Sequence, residues 1–170
     1  PLFPVEHSVC PHDIYDWWVD KYGNNLDAFW PVVETDIGRL GIMMANEGSY
    51  PENARALALN GAELVINPSA TTKGLSDHIW KLEQPAAAVA NGIFVGTINR
   101  VGFEAPWNVG EFYGSSYFTN PRGEILSEAP EDEDALIIAD LDLEQIKEAR
   151  ESWQFYRDRR PETYTQLSKM

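Results

Sequence analysis

The 28 residues LGIMMANEGSYPENARALALNGAELVIN, from Leu40 to Asn67, decide the fold. They begin with an uninterrupted apolar run, Leu40–Met44, which is typical of a strand covered on both faces. A helical pattern follows over Pro51–Asn60 and ends at Gly61, because glycine readily takes the left-handed conformation that closes many helices. A second apolar strand is predicted over Ala62–Asn67. A strand, a helix and a strand in so few residues predict a βαβ unit with parallel strands and a right-handed crossover.

The rest of the chain continues this alternation, as expected for a layered α/β protein. A second long helix is predicted over Ser76–Asn91, with Pro85 as a place where it kinks or restarts. Ser49 and Glu52 have the spacing of a capping box at the start of the first helix. The remaining predictions are strands over Phe29–Glu34, Ile93–Asn99, Ser115–Thr119, Glu124–Ser127 and Ala135–Asp140, helices over Asp13–Lys21 and Asp142–Ser152, and a capping pair of Asp142 and Gln145.

Composition and charge limit what the protein can do. The chain has 170 residues, enough for one domain, and its 27 acidic against 13 basic residues give a formal net charge of −14. This charge repels nucleic-acid phosphates and anionic lipid, so we expect neither nucleic acid nor a membrane as partner. No apolar run approaches the roughly 20 residues that span a bilayer. The single cysteine, Cys10, cannot form an internal disulfide. The sequence predicts a soluble, cytoplasmic globular protein.

The turn after the first apolar strand is where chemistry is expected. Ligands of open α/β sheets bind at the carboxyl ends of the parallel strands, and the elbow Ala45–Gly48 occupies such an end. A sharp elbow lifts its first side chain clear of the sheet and gathers free backbone N–H groups beside it. That first residue is Ala45, whose methyl group has no nucleophilic atom. From the residues alone, the elbow is either a structural turn or an altered nucleophile position.

The segment Gly38–Glu52 resembles the nucleophile segment of the nitrilase, or carbon–nitrogen hydrolase, superfamily, in which Cys stands at the position of Ala45. The resemblance continues in order over nearly the whole chain, in Gly61–Ala70, Ile98–Gly102, Tyr113–Tyr117, Pro121–Glu124 and Arg159–Tyr164. It implies a four-layer αββα sandwich, of which this chain supplies roughly the second half. We expect a single domain of this kind over residues 1–170, with a C-terminal tail or arm over 153–170.

The resemblance implies that the first half of the sandwich is supplied separately or lies outside this sequence. The apolar strands would otherwise expose a large apolar sheet face, which monomers rarely tolerate. By the same match, the catalytic Lys of the family would lie shortly before Pro1, and its first Glu further upstream.

The resemblance also assigns the site residues of this chain. Ala45 occupies the nucleophile position, the N–H of Asn46 lies in the oxyanion hole, and Glu6 is the second Glu that assists the Glu–Lys–Cys site of the family. The loop Ser69, Ala70 and Thr71 faces the substrate. Neither a metal nor a cofactor is implied.

The implied reaction is hydrolysis of a non-peptide C–N bond through a Cys thioester. With alanine at position 45 the chain is inactive as written, either through an engineered Cys→Ala change or as a natural pseudoenzyme. We expect a small uncharged amide as substrate, because Gly48 and Ser49 stand where the carbamoylases of the family carry Arg. Two alternatives stay open: an N-carbamoyl amino acid, since Gly74–Ser76 with Trp80 resembles β-ureidopropionases, and a catalytically dead amidase-like binding protein.

Three further expectations concern partners and competing sites. The superfamily pairs its sandwiches through helices, so we expect a homo-oligomer, a dimer or higher, through helices 51–60 and 76–91. Arg100 has two interpretations, a contact to a substrate carboxylate and a structural ion pair. Five side chains with metal-ligand chemistry lie within eight residues but fit no standard zinc spacing, so we expect no metal there: Glu6, His7, Cys10, His12 and Asp13.

Overall fold

The computed structural model describes residues 11–74, 76–105 and 110–169. Within these ranges the helices are α1 Pro11–Tyr22, α2 Leu26–Phe29, α3 Pro51–Leu59, α4 Asp77–Asn91 and α5 Glu144–Ser152, with 3-10 helices over Ala45–Ser49 and Pro161–Lys169. The strands are β1 Val32–Thr35, β2 Gly38–Ile42, β3 Leu64–Ser69, β4 Phe94–Asn99, β5 Val101–Phe103, β6 Glu111–Tyr113, β7 Tyr117–Thr119 and β8 Ile125–Glu128. None of the helices in this part of the chain is both long and apolar enough to span a bilayer.

The strands form a six-stranded mixed sheet in the order β1-β2-β3-β4-β7-β8 and a separate two-stranded sheet of β5 and β6. The three central strands, β2, β3 and β4, run parallel, with Ile42 opposite Ile66 and Ile66 opposite Gly96. The flanking strands β1, β7 and β8 pair antiparallel with their neighbours. This confirms the predicted βαβ unit, because α3 connects β2 to β3 across one face of the sheet.

The main hydrophobic core lies between this sheet and the helices α3 and α4. Leu57 of α3 packs on Gly41 of β2 so closely that a Cβ at Gly41 would lie 3.0 Å from its Cδ2 atom. The helices lie so close to the sheet that even small side chains between them are shielded from water. Alanines therefore form much of the core. The buried residues of this cluster are Met43, Ala54, Leu57, Ala58, Ala62, Val65, Ala88, Ile93 and Val95.

The opposite face of the sheet is apolar and open. Val33, Ile42, Met44 and Ile98 are exposed by 60%, 63%, 62% and 51%, respectively. Among the described residues helices cover one face only, so this part of the chain does not supply the second cover that the apolar run Leu40–Met44 predicts. The exposed face is the one expected of a half sandwich.

Several local predictions are also wrong. Ser49 does not cap α3, because its hydroxyl donates to Glu83 Oε2 at 2.8 Å and Tyr50 occupies the N-cap. Phe29–Glu34 divides into the end of α2 and the strand β1. The Ser49 hydroxyl instead reaches Glu83 on α4, a partner distant in sequence that the spacing of a capping box does not reveal.

The predicted strand Ala135–Asp140 is not a strand in the structure. Its side chains Leu136 and Ile138 are exposed by 87% and 78%, and no described strand pairs with the segment. The predicted capping pair of Asp142 and Gln145 is confirmed in part. The Asp142 carboxylate accepts from Glu144 N at 3.1 Å at the start of α5, as a capping side chain does, but no return hydrogen bond from the Gln145 side chain is found among the described residues. A segment with an alternating apolar pattern forms a strand only where a neighbouring strand pairs with it.

The helix predicted over Ser76–Asn91 is confirmed as α4, and it continues through Pro85 without a break. The buried side chains Trp80, Gln84 and Ala88 lie on both sides of Pro85 and keep the helix packed against the sheet. Gly92 ends α4 with φ +54°, as the sequence predicts.

We expect Leu57→Ala to lower the free energy of unfolding by about 3 kcal/mol, because it leaves a cavity between α3 and the sheet. Leu59→Ala is the matched control: Leu59 is 43% exposed, whereas Leu57 is 1% exposed. The control should change stability by less than about 1 kcal/mol. Urea unfolding followed by circular dichroism measures both, and equal losses would contradict the assigned core.

Candidate active site

The three parallel strands end at one edge of the sheet, and the predicted site residues follow two of them. Ala45 comes after β2, and Ser69 is the last residue of β3, opposite Asn99 in β4. Ala70 and Thr71 continue the same loop. The structure thus places the elbow and the predicted substrate loop at neighbouring strand ends, as the sequence predicts.

Ala45 has the backbone conformation of a strained elbow. Its φ is +48°, a left-handed value that disfavours any residue with a Cβ by about 1–2 kcal/mol. Ala45 and Asn46 are both exposed, so the methyl group at 45 lies outside the packed core. Their N–H groups stand before the first hydrogen bond of the 3-10 helix Ala45–Ser49, so that helix does not engage them.

Two buried amide side chains lie beneath the elbow. Asn67 donates from Nδ2 to the carbonyls of Met43 and Ala45, at 3.0 and 3.1 Å. A Cβ at Gly48 would lie 2.6 Å from Gln84 Nε2 and 2.8 Å from Asn67 Nδ2. Only glycine fits at position 48 without displacing these amides. Sequence reasoning missed Asn67 and Gln84; the only available signal was a polar residue inside an apolar strand or helix.

The loop Ser69–Thr71, predicted to face the substrate, is held by a side chain that sequence reasoning also missed. Asn99 accepts from Thr71 N at 2.9 Å and donates to Thr71 O at 3.2 Å, so one amide pairs with both polar groups of Thr71. The N–H of Asn99 donates to Ser116 Oγ at 2.9 Å, which ties the loop to the segment before β7. The Thr71 hydroxyl is hydrogen-bonded to Ser76.

An aromatic cluster of Trp80, Tyr113 and Tyr117 lies behind this loop. Trp80 Nε1 donates to the carbonyl of Ser115 at 2.8 Å, and Ser115 itself is buried with φ +52°. Burial raises the pKa of the Tyr113 phenol, and the nearby hydroxyls of Ser76 and Thr71 partly offset that rise. Among the described residues, no side chain or backbone group is within hydrogen-bond geometry of the phenol oxygen. This cluster gives the loop a rigid, largely apolar support.

The carboxylate of Glu128 stabilises the same region. Burial raises its pKa, but hydrogen bonds from Lys81 and Ser115 outweigh that effect and hold the pKa below its usual value. Glu128 therefore stays ionised and links α4 to β8.

Other candidate residues are placed differently or lie outside the described residues. Glu6 belongs to the latter group, so its relation to Ala45 is not described; the same holds for His7, Cys10 and Leu75, and for the side chains of His12 and Asp13. Arg100 forms an ion pair with Glu104, as the structural interpretation predicts. Among residues 14–74, 76–105 and 110–167, no three metal-binding side chains gather in one place.

Comparison with known proteins finds a match to the carbon–nitrogen hydrolase family over residues 5–151. The chain is 38% identical over 154 residues to a β-ureidopropionase of Arabidopsis thaliana, covering 83% of this chain and 38% of the relative. A crystal structure of a carbon–nitrogen hydrolase from Helicobacter pylori is similar with 37% identity and a TM-score of 0.75, covering 82% of this chain and 52% of the other.

A second similar structure has the Cys-to-Ala substitution that the sequence resemblance suggests at position 45. It is a cysteine-to-alanine mutant of the amidase from Nesterenkonia sp. AN1 in complex with butyramide, with 31% identity and a TM-score of 0.55. The match covers 61% of this chain and 38% of that one. The chain thus spans about half, or less, of the length of the proteins that it resembles.

Because Ala45 has a positive φ, Ala45→Gly should raise the free energy of unfolding by about 1 kcal/mol. The matched control is Ala86→Gly, on the exposed side of α4, which should lower it by about 1 kcal/mol because glycine disfavours helices. Urea unfolding distinguishes the two signs. A loss of stability in both variants would contradict the strained elbow.

Proposed function

Because the chain belongs to the carbon–nitrogen hydrolase family, we propose that it carries the nucleophile side of an amidase site for small non-peptide amides. The observation that carries this proposal is the exposed, left-handed Ala45 at the carboxyl edge of the parallel strands. Strained residues of this kind cluster at functional sites, where the surrounding structure maintains them. Alanine has no nucleophile, so the chain is inactive as written.

The proposed mechanism assigns each group one role. A Cys thiolate at position 45 attacks the amide carbon, and the N–H of Asn46 stabilises the oxyanion that forms. The C–N bond breaks and ammonia or an amine leaves with a proton from a general acid. Water then hydrolyses the thioester. Glu6 is proposed to assist as the second Glu, and Ser69, Ala70 and Thr71 to contact the substrate; no cofactor takes part.

The local charges support an uncharged substrate. Gly48 has no side chain, Ser49 donates to Glu83, and Arg100 is engaged by Glu104, so none of them offers a free cation to a substrate carboxylate. The butyramide bound to the amidase mutant is an uncharged amide of this class. The similarity to a β-ureidopropionase favours the alternative, an N-carbamoyl amino acid.

A Cys→Ala substitution explains Ala45 better than a turn that never held a nucleophile. A purely structural turn would be more stable with glycine at φ +48°, whereas a residue that replaces Cys inherits the strained backbone. The second candidate function, a catalytically dead binding protein, uses the same strained elbow without chemistry. A cytoplasmic location and a single domain with an arm over 153–170 stay predictions.

Restoring the thiol tests the proposal. Ala45→Cys, in a chain that contains the catalytic Lys and Glu expected from the family, should release ammonia from small aliphatic amides above the Ala45 background. Ala45→Ser is the matched control, because its hydroxyl has the same geometry but ionises far less readily than a thiol. A coupled ammonia assay measures all three proteins.

Turnover only with Cys at position 45 supports the hydrolase. Turnover confined to N-carbamoyl amino acids would replace the proposed substrate class by the alternative. A folded Ala45→Cys protein with no turnover on amides, nitriles or carbamoyl amines would contradict the hydrolase and favour the binding protein.

We also propose a homo-oligomer, a dimer or higher, through α3 and α4. The outer side of α4 is apolar at Leu82, Ala86 and Val89, where it lines a groove together with Phe155 of the C-terminal segment. Leu82 is 64% exposed. Apolar surface of this kind is typical of contacts between subunits.

Leu82→Glu should shift the oligomer to smaller species in light scattering, because it introduces a charge into the proposed interface. Leu136→Glu is the matched control, since Leu136 is more exposed and lies outside both helices. A stable monomer of the unmodified chain, or an equal effect of both substitutions, would contradict this interface.

A further inference from the structure

We infer that Asn67 is a positioning residue that aims the N–H of Asn46 at the substrate oxygen, an inference that rests on the proposed function. Asn67 lies in β3, one strand away from the elbow, and its side chain does not reach the exposed surface. It acts through the backbone of residues 43–46.

The contacts of Asn67 are specific to the elbow. Both donor hydrogens of its amide are available for the two carbonyls that it contacts, Met43 O at 3.0 Å and Ala45 O at 3.1 Å. Its own Oδ1 atom is buried without a hydrogen-bond partner among the described residues. A buried acceptor without a partner is unfavourable. The side chain therefore satisfies two elbow carbonyls while its own acceptor stays unpaired.

The direction of the Asn46 N–H follows from the planarity of the peptide bond. In a trans peptide the C=O and the following N–H point in opposite directions. Because the carbonyl of Ala45 points inward to Asn67, the N–H of Asn46 must point outward, away from β3. This is the direction in which an oxyanion donor has to face a substrate at the strand edge.

The preceding peptide units provide an internal check. The carbonyl of Met43 also points to Asn67, so the N–H of Met44 should point the other way. It does: Met44 N donates to Glu47 Oε2 at 2.6 Å. Asn67 and Glu47 thus hold the peptide plane between Met43 and Met44 from opposite sides. Asn67 also holds the plane between Ala45 and Asn46, whose outward N–H faces the proposed substrate.

A single thiol at position 45 reports this geometry without requiring amidase turnover. In the Cys10→Ser, Ala45→Cys chain, the alkylation rate with iodoacetamide as a function of pH gives the thiol pKa, because only the thiolate reacts. The outward N–H beside position 45 should stabilise a thiolate there as it would an oxyanion, and so place this pKa below the usual value of about 8.5.

Asn67→Leu in this background should raise the thiol pKa by about one unit and lower the alkylation rate at pH 7 about tenfold. Asn91→Leu is the matched control: Asn91 is also a buried amide, it donates to Ala87 O at 2.8 Å, and its Oδ1 also finds no hydrogen-bond partner in the part of the chain that the structure describes. Both substitutions remove a buried amide, but only the one at position 67 should change the thiol pKa. Circular dichroism and thermal unfolding verify that each variant folds.

Asn67→Ser is the substitute variant if Asn67→Leu fails to fold. Because serine keeps one hydrogen-bond donor on a shorter side chain, it should raise the thiol pKa by a smaller amount. Exchange of the Asn67 side-chain amide hydrogens, followed by NMR without any change at position 67, gives an independent readout. Strong protection is expected, and exchange as fast as that of the exposed Asn46 side chain would overturn the inference.

The outcomes separate this inference from the proposed function. A lowered thiol pKa that is the same with Asn, Ser and Leu at position 67 overturns the positioning role and leaves the anion site intact. An ordinary thiol pKa in the Ala45→Cys chain with Asn67 present overturns both, since no aimed N–H then stabilises an anion there.

Discussion

Parallel pairing of β2, β3 and β4 is the constraint on which the rest of this structure depends. Two parallel strands cannot be joined by a tight turn, so the chain has to return across the sheet through α3 and then α4. Both helices cross the same face, where they bury the alanine-rich core. All three strands consequently end at one edge, and the segments after β2 and β3 meet there.

At that edge the core changes from apolar to amide side chains. Asn67, Gln84 and Asn99 are all buried, and each lies against the elbow or the loop Ser69–Thr71. Amides suit this position because they donate and accept hydrogen bonds without bringing a charge into the interior. These three amides are therefore a neutral layer at the proposed site, although the protein as a whole is strongly acidic.

The overall fold was predictable from periodicity and glycine placement. The apolar run at Leu40–Met44, the helix stop at Gly61 and the alternation of elements were sufficient for the parallel βαβ unit, since these signals act over a few residues. The strand predicted over Ala135–Asp140 failed because a strand needs a partner. The cap predicted at Ser49 failed because its hydroxyl donates to Glu83 on α4, whereas the Asp142 carboxylate does accept a backbone N–H at the start of α5.

The sequence by itself determined the family and the central βαβ unit, and it indicated the elbow at Ala45 as the proposed nucleophile position, because each is encoded in a contiguous motif. Only the tertiary structure decided that Ala45 is held in a left-handed conformation and that Asn67 and Asn99 hold the elbow and the loop. It also showed that one sheet face is open. The first two features depend on contacts between residues 22 to 28 positions apart, and the third depends on which elements cover each face of the sheet. No local sequence pattern specifies either of these.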